Sequence, residues 1–163
     1  MIKVVTAIKR RGDLSVDAFQ SHWLERHAEV VMRLPGIVRY HQSHLRSGAY
    51  HEGEPAYDGI AEVWFEELAA MRALVGSASH DALMEDEARF IDRGAMVTLL
   101  TTEHELKSGR VPADAVKCFE LVCRRNDLSP AAFQEYWRGE HGPLAAGAAA
   151  LPVSGRSSSP RPS

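Results

Sequence analysis

Residues 2–34 of the chain read IKVVTAIKRRGDLSVDAFQSHWLERHAEVVMRL, and residues 116–148 read VKCFELVCRRNDLSPAAFQEYWRGEHGPLAAGA. The two stretches align without a gap, and an internal repeat is the first feature to look for in a sequence. The shared residues are Lys3, Arg10, Arg11, Asp13, Leu14, Ser15, Ala18, Phe19, Gln20, Trp23 and His27, which recur as Lys117, Arg124, Arg125, Asp127, Leu128, Ser129, Ala132, Phe133, Gln134, Trp137 and His141. The chain therefore begins the same strand–turn–helix unit twice.

Length and composition set broad limits on the class of protein. The chain has 163 residues and a formal net charge of -3, which fits one or two domains. No apolar run is long enough to cross a bilayer, and the basic residues at the N-terminus follow the apolar stretch, the wrong order for a signal peptide. There is no basic stripe with interleaved aromatic residues of the kind that binds nucleic acid. We therefore expect a cytoplasmic protein with neither a nucleic-acid nor a membrane partner.

The first copy of the repeat predicts a strand followed by a helix. Residues 2–10 alternate and are rich in β-branched side chains, which is typical of a strand. Ser15 is a favourable helix N-cap, and apolar side chains recur at three- and four-residue steps from Phe19 to Leu34. Pro35 and Gly36 end the helix.

The sequence after Gly36 completes the fold of the first copy. It predicts strands at residues 37–45, 59–65 and 95–106, and a second helical region in two stretches, residues 66–75 and 81–93. The order β-α-β-β-α-β is that of a ferredoxin-like α+β domain, with a four-stranded antiparallel sheet and helices on one face. The opposite face would expose apolar residues to water, so we predict a homodimer that packs through this sheet face.

The second copy is predicted to be incomplete. It supplies a strand at residues 116–124 and a helix from 130 to about 146, and one strand with one helix cannot bury a core. We therefore divide the chain into a complete domain at 1–107, a linker at 108–115, an incomplete second copy at 116–150 and a disordered tail at 151–163. The second copy is either the remnant of a two-domain protein, which we favour, or a segment that docks on the first domain's edge or swaps with a partner.

Several motifs in order resemble the EthD family of the dimeric α/β-barrel superfamily. The runs LSVDAFQSHWLERH and LSPAAFQEYWRGEHGPL are similar to the family signature in the first and second copy. The first copy continues with YHQSH at 40–44, DGIAEVWF at 58–65, DEARFID at 86–92 and TEH at 102–104, which resemble the later strands and second helix of the family. The resemblance covers residues 1–107 and the start of the second copy.

This resemblance implies a function class as well as a fold. Relatives in the superfamily include polyketide cyclases, decarboxylases, muconolactone isomerases and cofactor-independent monooxygenases, so it implies a small ketide-like or aromatic substrate held between helices and sheet. We predict an enzyme without an organic cofactor that performs acid/base lyase, cyclase or isomerase chemistry. The alternatives are a cofactor-independent monooxygenase, and a non-catalytic binding or accessory protein of a degradation pathway. Fold by itself does not decide among them.

Three residues are candidates for catalysis. His27 lies on the apolar face of the first helix, where partial burial could tune it as a general acid or base. Tyr40 and His44 lie four residues apart on one strand and share a face, about 13 Å apart by strand rise. We predict His27 and His44 as the acid/base pair and Tyr40 as a hydrogen-bond donor to a developing enolate oxygen.

Three further residues are candidates for binding substrate. Trp23 lies one turn before His27, and Glu62 and Trp64 share a face of the third strand, where Glu62 could orient a histidine and Trp64 could form a stacking wall.

The eight histidines do not predict a metal site. His22 and His27 are five residues apart, which separates them by about 140° around an α-helix. His41 and His44 point to opposite faces of one strand, and no H-E-x-x-H motif or cysteine pair at ligand spacing occurs.

Overall fold

The structure, a computed structural model, describes residues 1–147 and divides into two compact units, Met1–Glu103 and a second that begins at His104. The first unit is α+β with the predicted β-α-β-β-α-β order. Its elements are β1 (Ile2–Ile8), α1 (Val16–Ser21), a π-helical segment (His22–His27), α2 (Ala28–Met32), β2 (Ile37–His44), a 3-10 helix (Ser47–Glu52), β3 (Gly59–Phe65), α3 (Leu68–Leu74), α4 (Ala78–Phe90) and β4 (Val97–Thr101).

The four strands form one antiparallel sheet with the order β2-β3-β1-β4. This arrangement places β1 and β3 in the middle, where Val4 pairs with Val63 and Thr6 with Ala61. Because alternate residues of a strand point to opposite faces, these four side chains share the face that the helices cover. The ferredoxin-like fold expected from the sequence is confirmed.

The first helix begins where the sequence predicts and is continuous from α1 to α2. The side chain of Ser15 accepts a hydrogen bond from the backbone N–H of Ala18, which satisfies one of the free donors of the first turn. The middle of the helix, however, is π-helical, a form that α-helical periodicity does not reveal. After the helix, Gly36 turns the chain with φ of 79°, a conformation that a side chain would strain.

Strand β2 carries a bulge that the alternating pattern did not predict. The register with β3 shifts between Ile37 and Arg39, so both residues face consecutive partners, Phe65 and Trp64. A bulge inserts one unpaired residue and changes which side chains share a face. Ile37, expected on the face opposite Tyr40, therefore packs in the same apolar cluster as Tyr40.

Strand β4 is shorter than predicted. It was expected to span residues 95–106 but ends at Thr101, which pairs with Lys3 near the start of β1. Few residues of β1 remain beyond Lys3, so the chain after Thr101 has no strand residues of β1 with which to form further backbone hydrogen bonds.

The second unit confirms the predicted helix but not the predicted strand. Its helical part consists of α5 (Pro130–Tyr136), a second π-helical segment (Trp137–His141) and α6 (Gly142–Gly147). Residues 116–124, predicted as a strand, are irregular. A strand is stable only when its backbone groups pair with a neighbour, and the described residues 104–147 contain no strand with which residues 116–124 could pair. Residues 148–150 of the predicted second copy and the tail at 151–163 lie outside the described residues.

Within residues 1–147, no helix is long and apolar enough to cross a membrane. The predicted homodimer through the sheet face stays a prediction, which the mass of the purified chain in light scattering would test.

Candidate functional site

A cavity of about 300 Å³ lies between the helices and the inner face of the sheet. Val4, Val63 and Phe65 form part of its floor, and the helices contribute apolar side chains such as Val31 and Leu83. This volume is at the lower end of the range for ligand pockets, whose walls are mostly apolar with a few polar groups. The polar residues that line it are Thr6, His27, Tyr40, His80, Glu87, Arg93 and Thr98.

His27, in the π-helical segment, lines this cavity and forms a hydrogen bond with the carboxylate of Asp86. Its Nδ1 atom is 2.8 Å from Oδ2 of Asp86 on α4, and both residues are buried, with 4% and 7% of their surface exposed. Because an ionised carboxylate only accepts hydrogen bonds, Nδ1 carries the proton and donates it to Asp86. The neutral ring then keeps a lone pair on Nε2, and an imidazole in this form is a base.

Burial lowers the pKa of His27, and this effect outweighs the hydrogen bond that His27 donates to Asp86, which would raise the pKa. A charge on the neighbouring His22 lowers it further. His27 is therefore neutral at neutral pH, the form that can accept a proton from a bound compound.

The π-helical segment also brings His22 to Asp86, contrary to the prediction that His22 and His27 point about 140° apart. Nε2 of His22 lies 3.0 Å from Oδ1 of Asp86, so the two histidines contact the two oxygens of one carboxylate. In a π-helix, whose hydrogen bonds join residues i and i+5, residues five apart lie on nearly the same side of the helix, which is not so in an α-helix. The error came from assuming α-helical geometry throughout.

Tyr40 also lines the cavity, and its hydrogen bonds leave its own proton free. The indole N–H of Trp23 donates to the Tyr40 hydroxyl at 3.2 Å, and the amide of Gln42 donates at 2.8 Å. A hydroxyl accepts at most two hydrogen bonds and donates one, so the Tyr40 proton is available to a compound in the cavity. Burial raises the pKa of Tyr40, which keeps that proton in place.

His44 does not join His27 at the cavity. Its Nε2 atom is 2.9 Å from Oε1 of Gln42, its Nδ1 atom contacts Oε1 of Gln20, and its ring lies 4.3 Å from that of Trp23. Both ring nitrogens are thus engaged by side chains. His44 supports Gln42, which in turn holds Tyr40.

The three predicted substrate-binding residues also lie away from the cavity wall. Trp23 is fully buried in the core beside Phe19 and contributes only through its bond to Tyr40. Glu62 and Trp64 lie on the opposite face of the sheet, where Lys3 forms an ion pair with Glu62 at 2.6 Å and lies over the Trp64 ring. Glu62 therefore lies on the sheet face opposite the cavity, in contact with Lys3.

Sequence reasoning missed Asp86, Glu87 and Gln42. The run DEARFID contains Asp86 but does not assign it to the site, because Asp86 lies 59 residues after His27 and meets it only when α4 packs on the first helix. Gln42 could have been found, since it alternates with Tyr40 and His44 on one strand face. In the part of the chain that the structure describes, no group of three or more histidine, cysteine and acidic residues has the geometry to hold a metal ion.

The neutral, buried state of His27 predicts that stability falls as the pH is lowered. The pKa of His27 is below its usual 6.5 in the folded chain, so the unfolded chain binds the proton first as the pH falls through that range. We expect the free energy of unfolding to decrease between about pH 8 and about pH 5, and to decrease less in His27→Gln. Urea unfolding of both proteins at the two pH values measures this difference. Equal losses in both would show that His27 does not contribute.

Comparison with known proteins assigns the family and the fold. The EthD domain matches residues 11–94, just over half of the chain. The structure is similar to an ethyl tert-butyl ether D (EthD) family protein from Bacillus halodurans, with a TM-score of 0.52, 17% identity and coverage of 64% of this chain and 99% of the other. SnoaB, a cofactor-independent oxygenase from Streptomyces nogalater, aligns with a TM-score of 0.47 and 16% identity, over 64% of this chain and 93% of the other. A comparison with curated proteins found no match.

Proposed function

The chain belongs to the EthD family, and from this premise and the cavity we propose that it is an enzyme that moves protons on a small carbonyl compound without an organic cofactor. The observation that carries the proposal is His27, a neutral imidazole that lines an apolar cavity and is oriented by the buried carboxylate of Asp86. An imidazole held by a carboxylate is the usual arrangement of a general base in an enzyme.

The proposed reaction begins with proton abstraction. Nε2 of His27 accepts a proton from the carbon next to a carbonyl group, and negative charge develops on the carbonyl oxygen. Asp86 stabilises the imidazolium that forms, because its negative carboxylate accepts a hydrogen bond from Nδ1–H of His27. The hydroxyl of Tyr40 donates a hydrogen bond to the developing enolate oxygen. Trp23 and Gln42 fix this hydroxyl, so little reorganisation is needed during the step.

The cavity walls support a mainly apolar substrate. Aliphatic and methionine side chains such as Val31, Leu83 and Met84 surround the polar groups, so a charged compound would lose its hydration without compensation over most of its surface. We therefore propose a ketide-like or aromatic carbonyl compound, which undergoes cyclisation or isomerisation after the enolate forms. We assign no role in this chemistry to His44, Glu62 or Trp64, because none of the three lines the cavity.

Proton exchange in D₂O tests the proposal without knowledge of the natural substrate. The purified chain is incubated with 1-indanone or 2-tetralone, two aromatic ketones, and NMR measures deuterium at the carbon next to the carbonyl. We expect deuteration well above the protein-free rate, saturation with ketone, and no consumption of oxygen in a parallel measurement.

Two other outcomes would point to the alternative functions. Deuteration at the protein-free rate, with calorimetry showing that the ketones bind, would contradict the proposal and favour a binding or accessory protein. Consumption of oxygen that depends on the protein and the ketone would favour a cofactor-independent monooxygenase.

A further inference from the structure

A second acidic group lies in the wall of the cavity, next in sequence to the residue that orients His27. Glu87 follows Asp86 on α4, and successive residues of an α-helix are about 100° apart. Asp86 contacts the two histidines of the first helix, whereas Glu87 lines the cavity. The carboxyl groups of Asp86 and Glu87 thus have different surroundings.

The contacts of Glu87 leave its carboxyl group available to a compound in the cavity. Among residues 1–147 its nearest charged partner is Arg93, whose Nε lies 3.8 Å from Oε2, too far for a hydrogen bond. The Glu87 side chain is only 14% exposed, so water does little to stabilise a charge on it. His80, Arg93 and Tyr40 line the same cavity as Glu87, and Asp86 precedes it on α4.

We propose that Glu87 is a general acid that delivers a proton to an atom of the bound compound other than the carbon that His27 deprotonates. This inference rests on the proposed function and names its reaction type, a proton shift within one molecule. The C–H bond next to the carbonyl breaks and its proton passes to Nε2 of His27. The O–H bond of Glu87 then breaks, and a new C–H bond forms at the far end of the conjugated enolate. The compound is isomerised without oxidation or reduction, and water returns the proton from His27 to Glu87.

The surroundings of Glu87 and His27 favour a protonated carboxyl group and a neutral imidazole, which are the states that this step needs. Burial raises the pKa of Glu87, while Arg93 and His80 oppose this effect and Asp86 adds to it. Burial lowers the pKa of His27. When one proton is shared between a histidine and a glutamate, both changes favour the neutral histidine with the protonated carboxyl over the ion pair. Tyr40, the proposed donor to the enolate oxygen, lines the same cavity as Glu87, and its pKa is raised by burial and by the charge of Glu87.

Two probe reactions separate the acid from the base. Deuteration of 1-indanone requires only the removal and return of a proton at one carbon. Conversion of 3-cyclohexen-1-one to 2-cyclohexen-1-one, followed by ultraviolet absorbance, also requires delivery of a proton at a second carbon. We expect Glu87→Gln to slow the conversion about 100-fold and to slow deuteration of 1-indanone far less, because only the conversion needs the second proton. Glu87→Asp keeps an ionisable group on a shorter side chain and is expected to retain part of the conversion.

Glu85→Gln is the matched control, because it makes the same chemical change at an exposed position of α4. It is expected to leave both reactions unchanged, and circular dichroism checks that every variant is folded. Conversion by Glu87→Gln at the rate of the unmodified chain would overturn the inference. So would loss of both reactions in that variant, or an unmodified chain that deuterates 1-indanone but does not convert 3-cyclohexen-1-one. If the unmodified chain performs neither reaction, the proposed function is contradicted, and the role of Glu87 falls with it.

Discussion

Replacing His27 by glutamine is expected to slow the deuteration of 1-indanone by about 10² to 10⁴-fold, the usual contribution of a general base. Glutamine can still donate a hydrogen bond to Asp86, but its amide has no basic lone pair to take the place of Nε2. The variant therefore removes the base while keeping most of the packing around Phe90, whose ring lies 4.8 Å from that of His27. NMR of the ketone in D₂O measures the rate for both proteins.

The repeat supplies a matched control for this prediction. His141 occupies the position of His27 in the second copy, and His141→Gln is expected to leave deuteration unchanged. Asp86→Asn is expected to reduce the rate less than His27→Gln, because the base remains but its tautomer is no longer fixed. The acid limb of the pH profile should move to lower pH in that variant, since Asp86 raises the pKa of His27. Equal rates in His27→Gln and the unmodified chain would contradict the proposed role of His27.

Replacing Gly59 by alanine is expected to destabilise the first unit by about 3 kcal/mol, at the upper end of the cost of overpacking a core. Gly59 begins β3, and an added Cβ there would collide with the six-membered ring of Trp23 and lie 2.9 Å from the carbonyl oxygen of Ser43. Trp23 is fully buried beside Phe19 and cannot move without disturbing the core. Urea unfolding measures the loss.

Gly48→Ala is the control for this substitution. Its added Cβ would meet no atom within 4 Å, and we expect its unfolding free energy to change little. Because Trp23 donates to Tyr40, Gly59→Ala is also expected to disturb the hydroxyl that faces the cavity. A Gly59→Ala protein as stable as the Gly48→Ala protein would show that the core adapts at Trp23.

The sequence predicted the elements of the first unit because their patterns are local and periodic. The first helix follows its N-cap Ser15, and β3 spans the predicted residues 59–65, as expected. The errors arose where pairing decides the outcome. Residues 116–124 have the pattern of a strand but lack the pairing that a strand requires, and β4 ends where β1 runs out of residues to pair with.

The candidate site was predicted only in part, for a similar reason. His27 and Tyr40 could be chosen from their positions on a helix and a strand, and both line the cavity. His44 shares the strand face of Tyr40, but the register of the sheet places it against Gln20 and Gln42. No pattern in the sequence links His27 to Asp86, because their contact depends on how two distant helices pack.

The two copies of the repeat separate what the sequence determined from what the tertiary structure decided. Arg11 binds Asp13 through two nitrogens, and Arg125 binds Asp127 in the same way. In both copies a serine caps the helix and a π-helical segment follows. These features recur because the groups that form them lie within a few residues of one another.

The two histidines at equivalent positions have different surroundings. His27 contacts Asp86 and the Phe90 ring of α4, whereas His141 stacks on Trp137 at 4.3 Å and has no acidic hydrogen-bond partner within residues 1–147. The same local sequence thus gives the same helix in both copies. Only the packing of α4 against the first helix gives His27 the buried carboxylate that makes it a candidate base.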